Sequence, residues 1–356
     1  MGEVWNRFGP TAARPHGTPG RALRPSSMTI DVHSHVAVPE AAKFVKPHLD
    51  VTTMPLVRFA TSDTKALNQQ QDADRASRMT QYDERLADLD EMGIDLQVVK
   101  PPPPQCYYTL PVEIADRAAR IINDGLAEYV ARRADRFIAF GTVPLQDGAA
   151  AAVELERCVN QLGFKGVQIL TNVAGRELSH PSLAPFWAKA AKLGVLVVIH
   201  PNGFTQADRL SRFYFNNVIG NPLDTSIALH YLIFDGVLER HPDLKILAVH
   251  GGGYLAAYSG RMDHAWGARS DCRGDLPNPP SSYLEKVYFD SVVFTPHQLK
   301  HLVEVFGTAN ILMGTDYPYD MAESDPIGHI ATAAAELEAA AVAAIAGGNV
   351  RQLLKL

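Results

Sequence analysis

The chain has 356 residues, of which 46% are hydrophobic and 20% charged, and its formal net charge is −6. This composition is typical of a globular protein with a large core, and the negative charge argues against a nucleic-acid surface, which needs clustered Lys and Arg. No apolar run reaches the ~20 residues of a membrane span, so a membrane is not an expected partner. Because of the negative charge, a nucleic acid is not an expected partner either. Three scattered cysteines, Cys106, Cys158 and Cys272, favour reduced thiols in a cytoplasmic protein.

The first 27 residues differ in composition from the rest. They contain four Arg, four Pro and four Gly, without apolar periodicity and without the apolar stretch of a secretory signal. We therefore expect residues 1–27 to form a disordered extension and residues 28–356 to form a single folded domain.

From Met28 onward, short apolar runs alternate with helical patterns, which is typical of βαβ units and a parallel sheet. The predicted strands cover residues 29–33, 95–100, 137–143, 165–170, 195–200, 244–249, 286–291 and 310–315. The predicted helices cover residues 83–93, 112–134, 150–163, 183–194, 226–241 and 295–307, with an Ala-rich helix over about 328–346. Eight such repeats, without a G-x-G-x-x-G turn after the first strand, predict an α/β fold of the (β/α)8 barrel type.

Two connections between the predicted strands are long and irregular. They run from residue 36 to about 80 and from residue 201 to 222, and both follow the C-terminal end of a strand. A proline-rich loop, PPPPQCYY at 101–108, follows the second strand. Because loops at this end of a barrel surround the active site, the two long segments are candidate lids or substrate walls.

Polar side chains close several of the predicted strands, at the end where α/β barrels carry out catalysis. They are His33, His35, His200, His250 and Asp316. His33 and His35 lie two apart, so their side chains share one face of a strand. Buried structural histidines are the alternative interpretation of this pair. Three imidazoles and a carboxylate suit one divalent ion, with Zn²⁺ favoured and Mn²⁺ or Fe²⁺ as alternatives.

The fourth strand bears on the number of ions. It ends in Ile169, Leu170 and Thr171, and so offers no lysine whose carbamate would bridge two ions. Lys165 begins this strand and is predicted to face the opposite rim. The pattern therefore predicts a single ion, with the ligands His33, His35, His200 and Asp316.

His250 is followed by three glycines, which permit a tight turn and a close approach of substrate to the backbone. A fifth metal ligand or a structural histidine would be alternatives. We interpret His250 as a free imidazole that acts as a general acid or base, together with Asp316, which is also able to exchange a proton.

Other polar residues are candidates of lower specificity. Arg261 is suited to bind a carboxylate, but a surface ion pair would explain it as well. Tyr319 is predicted at the rim, as a hydrogen-bond donor to substrate or as a core residue. Lys100 is expected to be solvated, and Asp320 and Glu323 to be surface charges.

Four pieces of the sequence resemble the amidohydrolase superfamily. They are IDVHSH, LERHPDLKILAVHGGG, the Gly-Arg pair eleven residues after His250, and MGTDYPYDM. The resemblance extends from Met28 to the C-terminus. It is to the branch that contains amino-carboxymuconate-semialdehyde decarboxylase and the resorcylate and carboxyvanillate decarboxylases.

This resemblance implies roles for individual residues. The H-x-H pair, His200 and Asp316 would bind one metal ion, and His250 would be catalytic. Arg261 would contact the carboxylate of the substrate, in some members across a dimer interface, and a homodimer is therefore expected. Tyr319 would also contact the substrate.

The sequence departs from this branch at two places. The semialdehyde decarboxylase has Pro-Trp after its strand-five histidine, whereas Pro201-Asn202 follows His200 here, so Asn202 is a candidate substrate contact in an altered wall. The branch also uses an arginine upstream of the second strand. Its possible counterparts here are Arg58, Arg75 and Arg78.

The function predicted from these features is metal-dependent, non-oxidative decarboxylation of a hydroxylated aromatic or related unsaturated carboxylic acid. Two alternatives stay open. The first is a metal-dependent hydrolase of a lactone or amide, or a hydratase, on the same scaffold. The second is a metal-binding barrel without enzymatic activity, which the combination of His250 and Arg261 disfavours.

Overall fold

The structure, a computed structural model, describes residues 20–333 and 339–356. Its strands are β1 (Ile30–His35), β2 (Leu96–Lys100), β3 (Phe137–Ala139), β4 (Gly166–Leu170), β5 (Asn172–Val173), β6 (Arg176–Glu177), β7 (Leu196–His200), β8 (Lys245–Ala248), β9 (Val287–Asp290) and β10 (Ile311–Leu312). All eight predicted strands are present, because short segments rich in apolar residues are buried on both faces of the sheet. The pair β5 and β6 is a separate antiparallel hairpin.

The eight parallel strands follow one another around a ring. Three of them pair in the order β1-β2-β3, and five pair in the order β10-β9-β8-β7-β4. Parallel bridges join the two sheets at both seams, from Gly141 to Val167 and from Ser34 to Tyr317. The predicted (β/α)8 barrel is confirmed, and its functional rim lies at the C-terminal ends of the strands.

Helices surround this ring. They are α1 (Pro39–Val45), α2 (Pro55–Arg58), α3 (Ser62–Asp74), α4 (Ala76–Thr80), α5 (Asp83–Met92), α6 (Val112–Ala131), α7 (Gly148–Asn160), α8 (Ala184–Leu193), α9 (Asn221–Phe234), α10 (Val237–Arg240), α11 (Leu255–Ala268), α12 (Ser270–Arg273), α13 (Ser281–Leu284), α14 (Pro296–Phe306), α15 (Pro326–Ala333), α16 (Ala339–Ala343) and α17 (Asn349–Leu354). None of the helices in the described part of the chain is long and apolar enough to cross a membrane.

The structure corrects two of the predictions made for helices and loops. The connection over residues 36–80 is not irregular, since it contains α1 to α4. The helix predicted over residues 226–241 begins earlier, at Asn221, and ends at Phe234. Gly236, with a φ of 69°, then separates it from α10. The predicted Ala-rich helix corresponds to α15 and α16, and residues 334–338 lie outside the described residues.

Most of the predicted N-terminal extension, residues 1–19, lies outside the described residues. The described remainder begins with a 3₁₀ turn at Gly20–Leu23. The side chain of Arg24 pairs with Asp95, directly before β2. Residues 20–24 therefore lie near the N-terminal edge of the barrel.

The interior of the barrel has two layers of different chemistry. The lower layer consists of buried apolar side chains, Ile30, Val32, Leu96, Val98, Phe140, Leu196, Val198, Leu247, Val249 and Leu312. The upper layer, at the C-terminal ends of the strands, consists of buried polar side chains, His33, His35, Lys100, His200, Asp290 and Asp316. Burial of the apolar surface stabilises the fold by ~25 cal/mol per Å².

A β-bulge in β1 connects these two layers. The pairing register shifts between β1 and β2, so that Val32 and His33 together oppose Val98. The backbone groups of the bulge have side-chain partners. Asp31 Oδ1 accepts a hydrogen bond from the His33 amide at 2.9 Å, and Lys100 Nζ donates to the Val32 carbonyl at 2.9 Å. Because of the extra residue, Val32 and His33 both point inward, one into each layer.

Candidate metal centre

Four histidine rings surround the carboxylate of Asp316 in the upper layer. The Nε2 atoms of His35, His33 and His200 lie 3.0, 3.3 and 3.9 Å from Oδ1 of Asp316. The Nε2 atom of His250 lies 3.4 Å from the other oxygen, Oδ2. The structure thus brings all five predicted residues together, and the Asp316 oxygen that His250 contacts differs from the one that the other three histidines contact.

The outer nitrogens of the same three histidines are held by acceptors. The Nδ1 contacts of His33, His35 and His200 are Asp290 Oδ2 at 2.6 Å, the Pro101 carbonyl at 3.1 Å and the Pro201 carbonyl at 2.6 Å. A carbonyl or carboxylate oxygen only accepts hydrogen bonds, so each Nδ1 carries the proton. The lone pair of each ring is then on Nε2, which is the arrangement of metal-binding histidines.

Two of the Nε2 atoms, which face the centre of the cluster, lack a hydrogen-bond partner among the described residues. Among the described residues, neither Nε2 of His33 nor Nε2 of His200 has a hydrogen-bond partner, although both atoms are buried. A buried polar atom without a partner costs about 1–3 kcal/mol. One ligand atom each from His33, His200, His250 and Asp316 lies within 4.8 Å of the others, and His35 also contacts Asp316. This donor set fits a divalent cation, whose binding would satisfy the free lone pairs.

The electrostatics of the cluster also favour a cation. Burial lowers the pKa of His35 to about 4 and lowers that of His200 well below its usual value. Burial would raise the pKa of Asp316, but the surrounding histidines hold it well below its usual value. Burial likewise opposes the charge on His33, yet the Asp316 carboxylate raises its pKa. At neutral pH the centre therefore contains the Asp316 carboxylate beside the neutral imidazoles of His35 and His200, which are ligand forms. The proton that Asp316 favours on His33 is one that a bound cation would displace.

One residue of this centre, Asp290, was not predicted. Its Oδ2 holds His33, and its Oδ1 accepts a hydrogen bond from the Gly251 amide at 2.9 Å. The same carboxylate thus orients one histidine of the cluster and the turn that carries His250. Asp290 is a polar residue at the C-terminal end of a strand, and the same pattern predicted the other five residues of the centre.

The turn at His250 requires its glycines. His250 and Gly251 have φ values of 54° and 62°, in the left-handed region. A Cβ atom at Gly251 would lie 2.4 Å from the side chain of Val293, so no larger residue fits. The turn leaves the His250 side chain 17% exposed, whereas that of His33 is fully buried. Of the four imidazoles, His250 is the most accessible from the pocket.

Three polar residues do not lie where the sequence placed them. Lys100, predicted to be solvated, is fully buried, because it points into the barrel and satisfies the bulge. Its burial lowers the pKa to about 8, against the opposing charges of nearby carboxylates. Glu323, predicted at the surface, is buried, and Asp320 lines the pocket above the centre.

A pocket with a volume of about 220 Å³ opens above the centre. Its walls include His200, His250, Asp316, Asn202, Arg75 and Tyr319. The guanidinium of Arg75 lies 4.6 Å from the ring centre of Tyr319, and its side chain is only 8% exposed. In the part of the chain that the structure describes, its Nη1 has no hydrogen-bond partner and lies 3.7 Å from Asp320. The other terminal nitrogen, Nη2, pairs with Asp72, so the pocket contains a buried cation with one unused donor.

The other candidate arginines lie outside this pocket. Arg78 is ion-paired with Asp88 at 2.8 Å and Glu84 at 2.9 Å, and Arg58 is exposed beside a neighbouring cavity. Arg261 is exposed on α11 and does not line the pocket within one chain. Of the three upstream arginines that the sequence left open, Arg75 is the one beside the centre.

Comparison with known proteins gives a consistent result. Residues 30–356 match the family model described as Amidohydrolase. The 2-amino-3-carboxymuconate-6-semialdehyde decarboxylase of Dictyostelium discoideum is 34% identical over 275 residues, which are 77% of this chain and 76% of the relative.

Two solved structures extend the similarity to nearly the whole chain. The 5-carboxyvanillate decarboxylase of Sphingomonas paucimobilis is 26% identical, with 93% of this chain and 100% of the other covered and a TM-score of 0.82. The dihydroxybenzoic acid decarboxylase of Polaromonas sp., with bound manganese, is 25% identical, with 93% and 97% covered and a TM-score of 0.75.

Proposed function

The chain belongs to the amidohydrolase family, and from this premise we propose that it is a metal-dependent, non-oxidative decarboxylase of a hydroxylated aromatic or related unsaturated carboxylic acid. One observation carries the proposal: three Nε2 atoms face one oxygen of Asp316, while His250 stands alone at the other. The relatives named above, which are decarboxylases of such acids, support this reaction over hydrolysis.

We propose that His33, His35, His200 and Asp316 hold one divalent ion. Neutral imidazoles and a carboxylate suit Zn²⁺. The manganese in the Polaromonas relative makes Mn²⁺ the main alternative, with Fe²⁺ as a further one. When bound, the ion supplies Lewis acidity that stabilises negative charge on the oxygens of the substrate.

The substrate would be oriented by the residues of the pocket wall. Arg75 offers a buried guanidinium, which is suited to bind a carboxylate or phenolate oxygen. Tyr319 and Asn202 line the same pocket, and their polar groups supply further hydrogen bonds. Together they fix the ring above Asp316 and His250, so that the reacting carbon has a single orientation.

His250 is the proposed proton donor. Decarboxylation requires a proton on the ring carbon that carries the carboxylate, followed by cleavage of the C–C bond and return of its electron pair to the ring as CO₂ leaves. The His250 ring faces the pocket, and its Nε2 is 3.4 Å from the Asp316 carboxylate. This position allows an imidazole to hold and deliver a proton beside a fixed negative charge.

The proposed role of Arg261 depends on the oligomeric state of the protein. Arg261 is exposed on α11, and Tyr258 on the same helix is 61% exposed. We propose a homodimer in which Arg261 reaches the pocket of the partner subunit. Mixing inactive Arg261→Ala and His250→Asn subunits tests this, because hybrid dimers would regain activity in one of their two pockets.

The three free cysteines support a cytoplasmic location.

The reaction is tested with the purified protein, its metal content measured, on a panel of one-ring hydroxylated acids that includes salicylate and 2,6-dihydroxybenzoate. We expect CO₂ release and one decarboxylated product for each acid consumed. Ring opening or hydrolysis without CO₂ would contradict the proposal and support the hydrolase alternative.

The variant His250→Asn separates proton transfer from metal binding. We expect turnover to fall by a factor of about 10²–10⁴, the usual contribution of a general acid, while one ion per chain is retained. Full turnover would show that His250 is not the proton donor. Loss of the ion would identify it as a ligand instead.

A further inference from the structure

A second and larger cavity lies beside the metal-site pocket. Its volume is about 880 Å³, compared with about 220 Å³ for the pocket above Asp316. Its walls come from segments that follow β1, β2, β4 and β7, so it opens at the functional rim of the barrel. The two spaces share the lining residues Val57, Pro104 and Asn202. These three residues therefore border both spaces.

The buried side chain of Asn216 holds together two of the segments that surround these spaces. The side chain of Asn216 donates to the Pro55 carbonyl at 3.0 Å and accepts from the Phe204 amide at 2.8 Å. It thereby links the segment after β1 to the segment after β7. The two segments also touch directly, because a Cβ atom on Gly203 would lie 2.9 Å from the side chain of Leu56. The cavity is therefore a built feature of the rim.

The charges of this cavity all have one sign. Arg58 and Lys65 are the charged side chains of its lining, and no acidic residue lines it within the described ranges 20–333 and 339–356. Neither cation forms an ion pair with another residue that the structure describes. Arg58 lies 5.1 Å from the ring centre of Phe59, which also lines the cavity. Tyr107 and Tyr108 contribute aromatic surface to the walls.

We propose that this cavity, the arm cavity, binds a side chain of the substrate that ends in an anionic group. This rests on the proposed function, and it specifies the substrate as a hydroxylated aromatic acid with an extended acidic arm. The pocket above Asp316 is smaller than the ~300–1,000 Å³ of drug-sized ligand sites, whereas the arm cavity lies within that range. The reacting ring therefore occupies the small pocket, and the arm passes Asn202 toward Arg58 and Lys65.

The test compares substrates that differ only at the end of the arm. Salicylates with a three-carbon chain at each free ring position are prepared in two forms, ended by a carboxylate or by an amide. We expect at least one carboxylate-ended isomer to have a kcat/KM about tenfold above that of its amide-ended partner. This advantage should decrease at high salt, because both cations are exposed.

Variants then locate the effect in the arm cavity. Arg58→Ala combined with Lys65→Ala is expected to abolish the carboxylate advantage, with activity on arm-free acids as the internal reference. Thr205→Trp, which places a bulky ring in the arm cavity, should reduce kcat/KM for both long forms. Arg209→Ala, an exposed arginine outside the lining, is the matched control and should change neither.

Two results overturn the proposal: no carboxylate-ended isomer exceeds its amide-ended partner, or the advantage survives the double substitution. If arm-free acids release CO₂ but the arm has no effect, only the arm cavity assignment fails. If neither arm-free nor extended acids release CO₂, the proposed decarboxylase function itself fails.

Discussion

The lower and upper layers of the barrel interior are built on the same strands but perform different tasks. On β7, Val198 and His200 are two residues apart and both point inward. Val198 packs among aliphatic side chains, which need no particular orientation. His200 has its Nδ1 held at 2.6 Å and its Nε2 directed at Asp316. The comparison teaches that two inward-facing positions only two residues apart on one strand can have different roles, one in the stability of the fold and the other in the proposed metal centre.

The first prediction contrasts these two positions directly. His200→Ala is expected to remove the bound ion and to lower kcat/KM at least ~10³-fold, equivalent to about 4 kcal/mol of transition-state stabilisation. Val198→Ala should retain the ion and the turnover but lose about 2 kcal/mol of unfolding free energy, because methyl groups are deleted from a packed layer. Metal analysis, kinetics and urea unfolding measure the three quantities. A metal-loaded His200→Ala protein would contradict the proposed ligand set.

The second prediction concerns the buried amine of the upper layer. In the metal-free protein, the pKa of Lys100 is about 8 when folded, compared with ~10.4 in the unfolded chain. Between these values the unfolded chain binds a proton that the folded chain does not, so stability rises with pH across this window, by up to about 3 kcal/mol. Urea unfolding at about pH 8 and about pH 10.5 measures the rise.

Lys100→Met should abolish this rise, whereas Lys286→Met, which changes an exposed lysine at the start of β9, should leave it intact. The same slope in all three proteins would show that Lys100 is not the group responsible.

The third prediction addresses the support of the upper layer. Asp290→Asn keeps the size of the side chain but weakens the acceptor that orients His33, and we expect the affinity for the ion to fall about 10–100-fold. Titration with Zn²⁺ against a chelator provides the measurement. Asp243→Asn, exposed at the opposite end of β8, is the control and should bind the ion as the unchanged protein does. Equal affinities would mean that His33 is held by packing alone.

The fourth prediction is the smallest and concerns the pocket above the upper layer. Arg75→Lys keeps the charge but loses the planar fork, so we expect KM to rise about tenfold with a smaller change in kcat. Steady-state kinetics on the best acid of the panel tests this. Arg78→Lys, at a position already paired with Asp88 and Glu84, should leave KM unchanged.

The features that the sequence predicts are those encoded in short stretches of chain. Each strand is an apolar run, so all eight were located, and His33, His35, His200, His250 and Asp316 follow from their place at strand ends. The placement of Lys100 and the bulge at Val32 and His33 depends on pairing between strands, which no local pattern encodes. Asp290 carries the same strand-end signal, yet its role as a hydrogen-bond acceptor is visible only beside His33 and Gly251.

The sequence does not determine which of the three candidate arginines before β2 lies beside the candidate metal centre. Arg58, Arg75 and Arg78 lie within one connection, and their spacing alone does not distinguish them. Their environments differ because α2, α3 and α4 fold back over the rim and bury one guanidinium while leaving another exposed. Burial of a charge is a property of the folded loop, so only the structure separates the three.

The bulge in β1 has a consequence for how this protein can change over evolutionary time. Deleting Val32 or His33 would restore strict alternation, and a slip of one residue reverses the face of every side chain beyond it. Either Asp31 would then enter the apolar layer, or the two histidines would leave the barrel interior. The length of β1 is therefore invariant for any descendant that keeps the site. The exposed part of the segment after β1, which carries Arg58 and Lys65, has no such constraint. Insertions there would change the wall of the arm cavity and leave the proposed ion-binding residues in place.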